Sequence, residues 1–455
     1  MKIYNPATGK VITTLEADNV KTIKSKLAKI HVQNNAWQQL ALDERIAIID
    51  TFKTNLLESK DALTNDLTLE TGKPIKESLA EIEGACYRID YFTAHAKEVL
   101  KEEYFNQNTN TQEKLSYEPL GAIANISAWN YPFLVGVNVF IPALITGNHV
   151  AYKPSEFASL TGLNIQASLY QSGVPESAFQ TFIGGKEVGE ALLSEDLDGY
   201  FFTGSYHTGR FIAEKVAYKL VPVGLELGGK DPAYVSEFNS DINKVASSLV
   251  EGAFYNNGQS CCAVERIYVH TKHYQAFCQA FVDHSKGLIV GNPMDKLVTN
   301  GAITRPQHLA FLQDQVEDAC QKGAKLLTGG NIIPSEGNFF EPTVLSNVNH
   351  SMKVMYEESF GPIIGIQEVK DEHQALTLMN DTQYGLTASI FSDNEEEAKH
   401  FMHQLDAGNV YMNCADRVSP FLPWAGRKRS GLGATLSKHG LYAFCKTKGW
   451  HFRKA

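Results

Sequence analysis

Two adjacent cysteines, Cys261 and Cys262, lie in "NNGQSCCAVER", residues 256–266. A helical pattern, "INKVASSLVEGAFY", runs into Asn256, Asn257 and Gly258, residues that end helices. A cysteine just past such a turn is held by backbone geometry and can face a ligand, where its thiolate is a strong nucleophile. The same pair also reads as two inert buried thiols or as a redox pair. A second group is Glu226 in "GLELGGKDP", residues 224–232, a carboxylate in an apolar strand followed by paired glycines. Apolar surroundings raise a carboxyl pKa and make it a base near neutral pH, unless a nearby cation pairs with it. A third is Asn130 in "SAWNYPF", residues 127–133, set between Trp129 and Tyr131. Its amide either bonds to backbone or donates to a developing oxyanion.

Two stretches carry features of anion and ribose sites. "AYKPSE", residues 151–156, ends a strand at Lys153, stops it at Pro154 and continues through Ser155 to Glu156. Open α/β sheets bind ligands at that edge, and a carboxylate there can accept from ribose hydroxyls; a surface loop with a solvated charge pair reads equally well. In "GYFFTGSYHTGRF" an apolar run ends at Thr203, Gly204 and Ser205, and a helix pattern follows. Free N–H groups and the positive dipole end suit a pyrophosphate there, although the pattern is neither GxGxxG nor a P-loop and also fits an ordinary turn. "GGKEVG" at 184–189 is equally open.

These residues must be positioned by larger elements. Residues 18–103 read as helices, through "NVKTIKSKLAKIHVQNNAWQQL", "LDERIAIIDTFKTNLLESKDAL" and "ESLAEIEGACYRIDYFTAHAKEVL". Polar "NQNTNTQ" leads to "EKLSYEPLGAIANISAW", which begins as an exposed strand able to pair with another chain. From residue 121 short apolar strands alternate with helices, and a second alternating region spans about 226 to 430. The pattern predicts an α/β fold with two doubly wound, mostly parallel domains and a small β pairing element.

The bulk properties narrow the partners. The chain has 455 residues, 43% hydrophobic and 20% charged, with a formal charge of −10. That size implies two or three domains. The charge argues against nucleic acid or an acidic membrane surface as partner. "MKIYNPATGK" lacks a signal-peptide core, and no stretch approaches the ~18 apolar residues of a membrane span. Seven scattered cysteines point to a reducing cytoplasm rather than a disulfide framework. No metal site is expected: CxxC and HExxH are absent, and His400 with His403 reads as a solvated helix face.

The fragments "WNYP", "KPSE", "FFTGS", "LELGGK", "NNGQSC", "EESFGP" and "PWAGRKRSGLG" follow one another in that order. The series, from "NPATGK" at residue 5 to about residue 445, resembles the aldehyde dehydrogenase superfamily, in particular its compact succinate-semialdehyde branch. The resemblance implies two Rossmann-like domains: residues 1–100 and 120–225 for the dinucleotide, 226–430 for catalysis, with 101–119 and 431–455 as an oligomerisation element. It implies Cys261 as nucleophile, Glu226 as general base, and Asn130 with the Cys261 N–H as oxyanion hole. Lys153, Ser155 and Glu156 match the adenosine-ribose contacts, and Gly204 and Ser205 the pyrophosphate turn. Trp129 and Phe360 match the nicotinamide surroundings, and Glu358 the nicotinamide-ribose contact. Glu226 lies 35 positions before Cys261, so only the fold can join them.

The implied reaction is NAD-dependent oxidation of an aldehyde to its acid through a cysteine thioester, with water as acyl acceptor because Glu226 is present. Glu156 beside the adenosine 2′ position favours NAD, with NADP as the alternative. Members selective for succinate semialdehyde carry arginine where this chain has Asn138, and some also where it has Tyr255. Trp424 replaces the usual Phe of the substrate tunnel, and Arg417, Arg427 and Arg429 lie nearby in sequence. A small apolar or aromatic aldehyde is therefore expected, with succinate semialdehyde as its rival. Acyl transfer to coenzyme A and a non-catalytic thiol sensor stand behind these. A homodimer or homotetramer is implied.

Overall fold

The computed structural model describes residues 1–31, 36–108 and 110–453. The helical run read over 19–40 divides into Val20–Ile30 and Ala36–Gln39. Residues 32–35 of that run, residue 109 of "NQNTNTQ" and the last two residues of 431–455 lie outside the described residues. Asn19 starts the first helix as a capping box: its Oδ1 accepts from Thr22 N at 3.1 Å, and Thr22 Oγ1 accepts from Asn19 N at 2.8 Å. Helices Leu42–Glu58, Lys60–Thr71 and Ile75–Val99 follow. Gly72, at φ +81°, ends the second of these in the left-handed conformation that glycine adopts without steric cost. Helix Ile75–Val99 buries Ile82, Ala85, Ile89, Phe92 and Ala96, spaced by three and four, in the same core as helix Pro132–Ile145.

Five parallel strands form the first sheet, with spatial order Val223–Glu226, Gly199–Thr203, Ala122–Ile126, His149–Lys153, Phe179–Thr181. Numbered along the chain this is 5-4-1-2-3, the doubly wound order of a dinucleotide fold, whose ligand crevice opens beyond strands 1 and 4. Asn130 and Gly204 lie just past the ends of those two strands. Gly431–Leu432 adds a short antiparallel edge, pairing Gly431 with Glu226. This differs from the boundary expected at 431: the chain returns to the first sheet before it reaches the small β element.

The second sheet holds seven strands, ordered Lys325–Thr328, Thr343–Ser346, Ile363–Val369, Val264–His270, Asp231–Val235, Thr387–Phe391 and Asn409–Met412. All pairs are parallel except the first. In the third sheet Thr111–Pro119 lies between Glu103–Gln107 and Cys445–Arg453, all antiparallel. The two stretches read as a pairing element thus meet each other, and the outer edge of Cys445–Arg453 has no strand beside it among the described residues.

The chain crosses between the large sheets at residues 227–230. A separate seam ties the end of helix Lys60–Thr71 to the second half of the chain. Ala302 N donates to Gly72 O and Ile75 N to Pro293 O, both at 2.9 Å, while Thr304 Oγ1 donates to Thr71 O.

Candidate active site

The turn before the cysteines is built from left-handed residues. Helix Ile242–Phe254 stops at Phe254, one residue earlier than its sequence suggests, because Asn256 and Asn257 take φ of 51° and 55° and Gly258 67°. Asparagine and glycine are the residues that tolerate this conformation. At Gly258 a Cβ would stand 2.4 Å from Gly361 O, so only glycine fits. The turn delivers Cys261 half-buried, while Cys262 is buried with its thiol donating to Asp416 Oδ1 at 2.8 Å. Adjacent residues thus separate into one accessible sulfur and one held in packing. Asn130 Nδ2 donates to Gln259 O at 3.1 Å, and Asn256 Nδ2 donates to Asn130 O at 3.2 Å. Asn130 is therefore joined to the cysteine turn through both its side-chain amide and its backbone carbonyl.

Glu226 is the last residue of its strand. Its Oε1 accepts from Thr435 Oγ1 at 3.1 Å, and its Oε2 is sealed without a partner. Burial pushes its carboxyl up to about 8, against the opposing pull of the Thr435 hydroxyl and the Arg88 guanidinium. Arg88 also lies within electrostatic reach of Cys261 and Cys262, which places base and thiols around one cation. Three residues on, a Cβ at Gly229 would lie 2.6 Å from Cys261 O, and one at Gly228 would lie 2.1 Å from the Glu358 carboxylate. The paired glycines let the base strand, the cysteine loop and Glu358 come together.

Behind the site two glutamates, one turn apart, clamp both catalytic loops. Glu77 Oε2 accepts from Asn256 N at 2.9 Å, and Glu81 Oε1 accepts from Phe133 N at 2.8 Å, three residues past Asn130. Glu81 pairs with Lys73, both side chains fully buried, and the Lys73 ammonium lies 3.8 Å from the Tyr131 ring centroid. Burial pushes Glu77 up to about 8. Removing one member of a buried pair leaves an uncompensated charge. Glu81→Gln is therefore expected to lower stability by about 3 kcal/mol, read as a shift in the urea midpoint. A midpoint equal to that of the unaltered protein would show that the pair contributes nothing.

The crevice residues divide between the two sheets. Trp129 and Phe360 meet edge to face, centroids 5.5 Å apart. Phe360 takes φ 49° and is held there as its N–H donates to Glu265 Oε1 at 2.8 Å. Glu265 also accepts from Ser359 N and from Lys230 Nζ, itself buried. Glu358 accepts from Gly229 N at 3.0 Å, and burial pushes its carboxyl up to about 8. Lys153 is buried at its strand end with Nζ on Pro154 O at 3.2 Å, and burial lowers its pKa. Ser155 Oγ donates to Glu156 Oε2 at 3.3 Å, and Glu156 is exposed. Ser205 caps helix Tyr206–Val216 through Thr208 N, and Gly204 packs so close to the Phe202 ring that a Cβ would stand 2.4 Å away. A dinucleotide fits this arrangement: the strand order opens a crevice at a helix start, and an aromatic pair closes its inner end.

Of the pocket residues, Trp424 is buried in the core against which Cys261 packs, and a backbone bridge holds it to Thr435. Tyr255 lies toward the glutamate clamp, and burial beside Glu77 and Glu81 raises its pKa. Asn138 is buried and accepts from Arg88 Nη1 at 2.9 Å. The three arginines considered as cation sources are not in the pocket. Arg417 reaches out to Glu251, Arg427 to Asp406, and Arg429 lies over the Tyr206 ring. Arg88, Glu77, Glu81, Asp416 and Thr435 were not singled out from sequence. A signal existed for three of them: Glu77, Glu81 and Arg88 fall at i, i+4 and i+11, on the same face as the apolar stripe of their helix.

A half-accessible thiol, an amide bonded to its loop and a sealed carboxylate are set where a doubly wound sheet opens, an arrangement of the kind that covalent, dinucleotide-dependent catalysis needs. The model of the Aldehyde dehydrogenase family matches residues 1–449, and the chain belongs to that family. Peroxisomal aminoaldehyde dehydrogenase 1 of Pisum sativum is 32% identical over 98% of this chain and 90% of its own length. Glutarate-semialdehyde dehydrogenase of Pseudomonas putida is 31% identical over 98% of this chain and 93% of its own. The structure of betaine aldehyde dehydrogenase from Staphylococcus aureus in complex with NAD+ superposes with a TM-score of 0.95 at 29% identity, covering 100% of this chain and 92% of that one. Among the described residues no helix is long and apolar enough to cross a membrane, and no cluster of side chains could hold a metal ion.

Proposed function

We propose that the protein oxidises an aldehyde to the carboxylic acid with NAD as hydride acceptor and water as acyl acceptor. The observation that carries this reading is Glu226, a sealed carboxylate with one unpartnered oxygen, grouped with the accessible thiol of Cys261 around Arg88. Lys153, Ser155 and Glu156 hold the adenosine ribose, Gly204 and Ser205 the pyrophosphate, and Glu358 the nicotinamide ribose. Trp129 and Phe360 flank the ring. When bound, the dinucleotide supplies the hydride acceptor.

Cys261 Sγ attacks the carbonyl carbon, and the oxygen that becomes negative is met by Asn130 Nδ2 and the Cys261 N–H. Asn130 Nδ2 carries two N–H groups, so one can stay on Gln259 O while the other meets the oxyanion. Loss of hydride leaves a thioester on Cys261. Once Oε2 swings out of its sealed position, Glu226 takes a proton from water through it, and the hydroxide releases the acid. Thr435, on Oε1, holds the carboxylate so that its other oxygen stays free.

The Glu156 carboxylate disfavours a 2′-phosphate, which supports NAD over NADP. Seven free cysteines accord with a reducing cytoplasm. The uncovered edge of Cys445–Arg453 suits pairing with a second copy in a dimer or tetramer. Purified protein is expected to reduce NAD with one equivalent of acid formed per turnover and no requirement for coenzyme A, with NADP the poorer acceptor. Turnover that depends on coenzyme A and yields no acid would replace water as the acceptor. Reversible oxidation of the thiols without any dinucleotide binding would favour the sensor reading.

A further inference from the structure

Arg88 is 8% exposed on the core face of helix Ile75–Val99. Its Nη1 donates to Leu134 O at 3.1 Å and to Asn138 Oδ1 at 2.9 Å, both on helix Pro132–Ile145. Among the described residues nothing accepts from Nε or Nη2, and neither atom is among the sealed polar atoms that lack a partner. Both therefore keep some accessible surface. None of the carboxylates around it is bonded to it among the described residues. Glu81 holds Lys73 and Phe133 N, Asp416 holds the Cys262 thiol, and Glu226 is bonded to Thr435. None of them forms an ion pair with Arg88 among the described residues. A buried guanidinium with donors unspent and no paired anion is costly, and a planar carboxylate matches its fork.

We propose that Arg88, steered by Asn138, anchors a carboxylate at the far end of the substrate, so that the aldehyde is an anionic one bearing a terminal carboxyl group. The inference rests on the aldehyde oxidation proposed above. It replaces the small apolar or aromatic aldehyde that Trp424 and the absence of arginine at positions 138 and 255 had favoured. The cation comes from a different helix, and Asn138 orients it. Trp424 then walls the chain between the two ends of the substrate.

The test compares succinate semialdehyde and glutarate semialdehyde with their uncharged methyl esters, in the unaltered protein, Arg88→Lys, Arg88→Met and Asn138→Leu. The unaltered protein is expected to favour acid over ester in kcat/KM, and Arg88→Met to lower that ratio by about 30-fold or more, chiefly through KM. Arg88→Lys retains part of the ratio, and Asn138→Leu loses part of it. Equal loss for acid and ester in every variant would make Arg88 a structural residue and overturn the proposal, as would an unaltered protein that prefers the esters. Succinate, which cannot react, gives a readout free of turnover. Calorimetry in the presence of NAD should show it binding the unaltered protein and not Arg88→Met. Equal binding to both would remove the anchor even if aldehydes turn over. If neither acids nor esters are oxidised while succinate binds through Arg88, the reaction is wrong and the anchor stands. NAD-induced fluorescence quenching in each variant checks that it is folded.

Discussion

Cys261→Ala is expected to remove aldehyde turnover by at least about a thousandfold in kcat, while Cys262→Ala keeps most of it. The difference arises because the two neighbouring thiols differ in exposure and in partner. Cys261 is the half-exposed member, and Cys262 spends its thiol on Asp416 in the core. The hydrogen bond with Cys261, then burial and the neighbouring Asp416, raise the Cys262 pKa well above the usual thiol range, so its thiolate is scarce at neutral pH. Burial also raises Asp416, to about 6, and the thiol bond partly offsets this. NADH formation at 340 nm (roughly its absorption maximum), with NAD binding measured alongside, reads both variants. Near-complete loss in Cys262→Ala with Cys261→Ala active would move the nucleophile by one residue.

The second large effect belongs to the base. Glu226→Gln is expected to form one equivalent of NADH per site in a burst and then to turn over about a hundredfold more slowly. Attack and hydride loss precede the step that needs the carboxylate, so the thioester accumulates. The sign of the pH dependence follows from the raised pKa. Glu226 works deprotonated, and its carboxyl sits at about 8, so steady-state turnover rises as pH climbs toward 8 and levels above it where hydrolysis limits the rate. In Glu226→Gln that rise should vanish. A variant with no burst, or with the same pH profile as the unaltered protein, would place the base elsewhere.

The doubly wound architecture was legible because it depends on alternation of apolar strands with helices, a signal spread over many residues. The three groups proposed to react were also singled out, each by its local surroundings: a turn of Asn and Gly, an apolar strand, a pair of aromatics. What brings them together was not. Glu77 and Glu81 act on backbone N–H groups far along the chain, and a sequence records no such bond. The cation proposed as anchor was not singled out for a related reason. Arg417, Arg427 and Arg429 are near Trp424 in sequence, but they pair outward with carboxylates or stack on a ring. Arg88, proposed above as the anchor, lies on another helix and bonds Asn138. The boundary at 431 shifted because two residues, Gly431 and Leu432, are too few to announce themselves as a sheet edge.

The seam at Gly72 has a mechanical consequence. Backbone bonds from Ala302 to Gly72 and from Ile75 to Pro293 run between segments that pack on different sheets. Prising the two halves apart like jaws would break them along with the Glu77 bond to the cysteine turn. The frame is thus bolted at its back, and admission and discharge of a long dinucleotide fall to side chains and surface loops at the front.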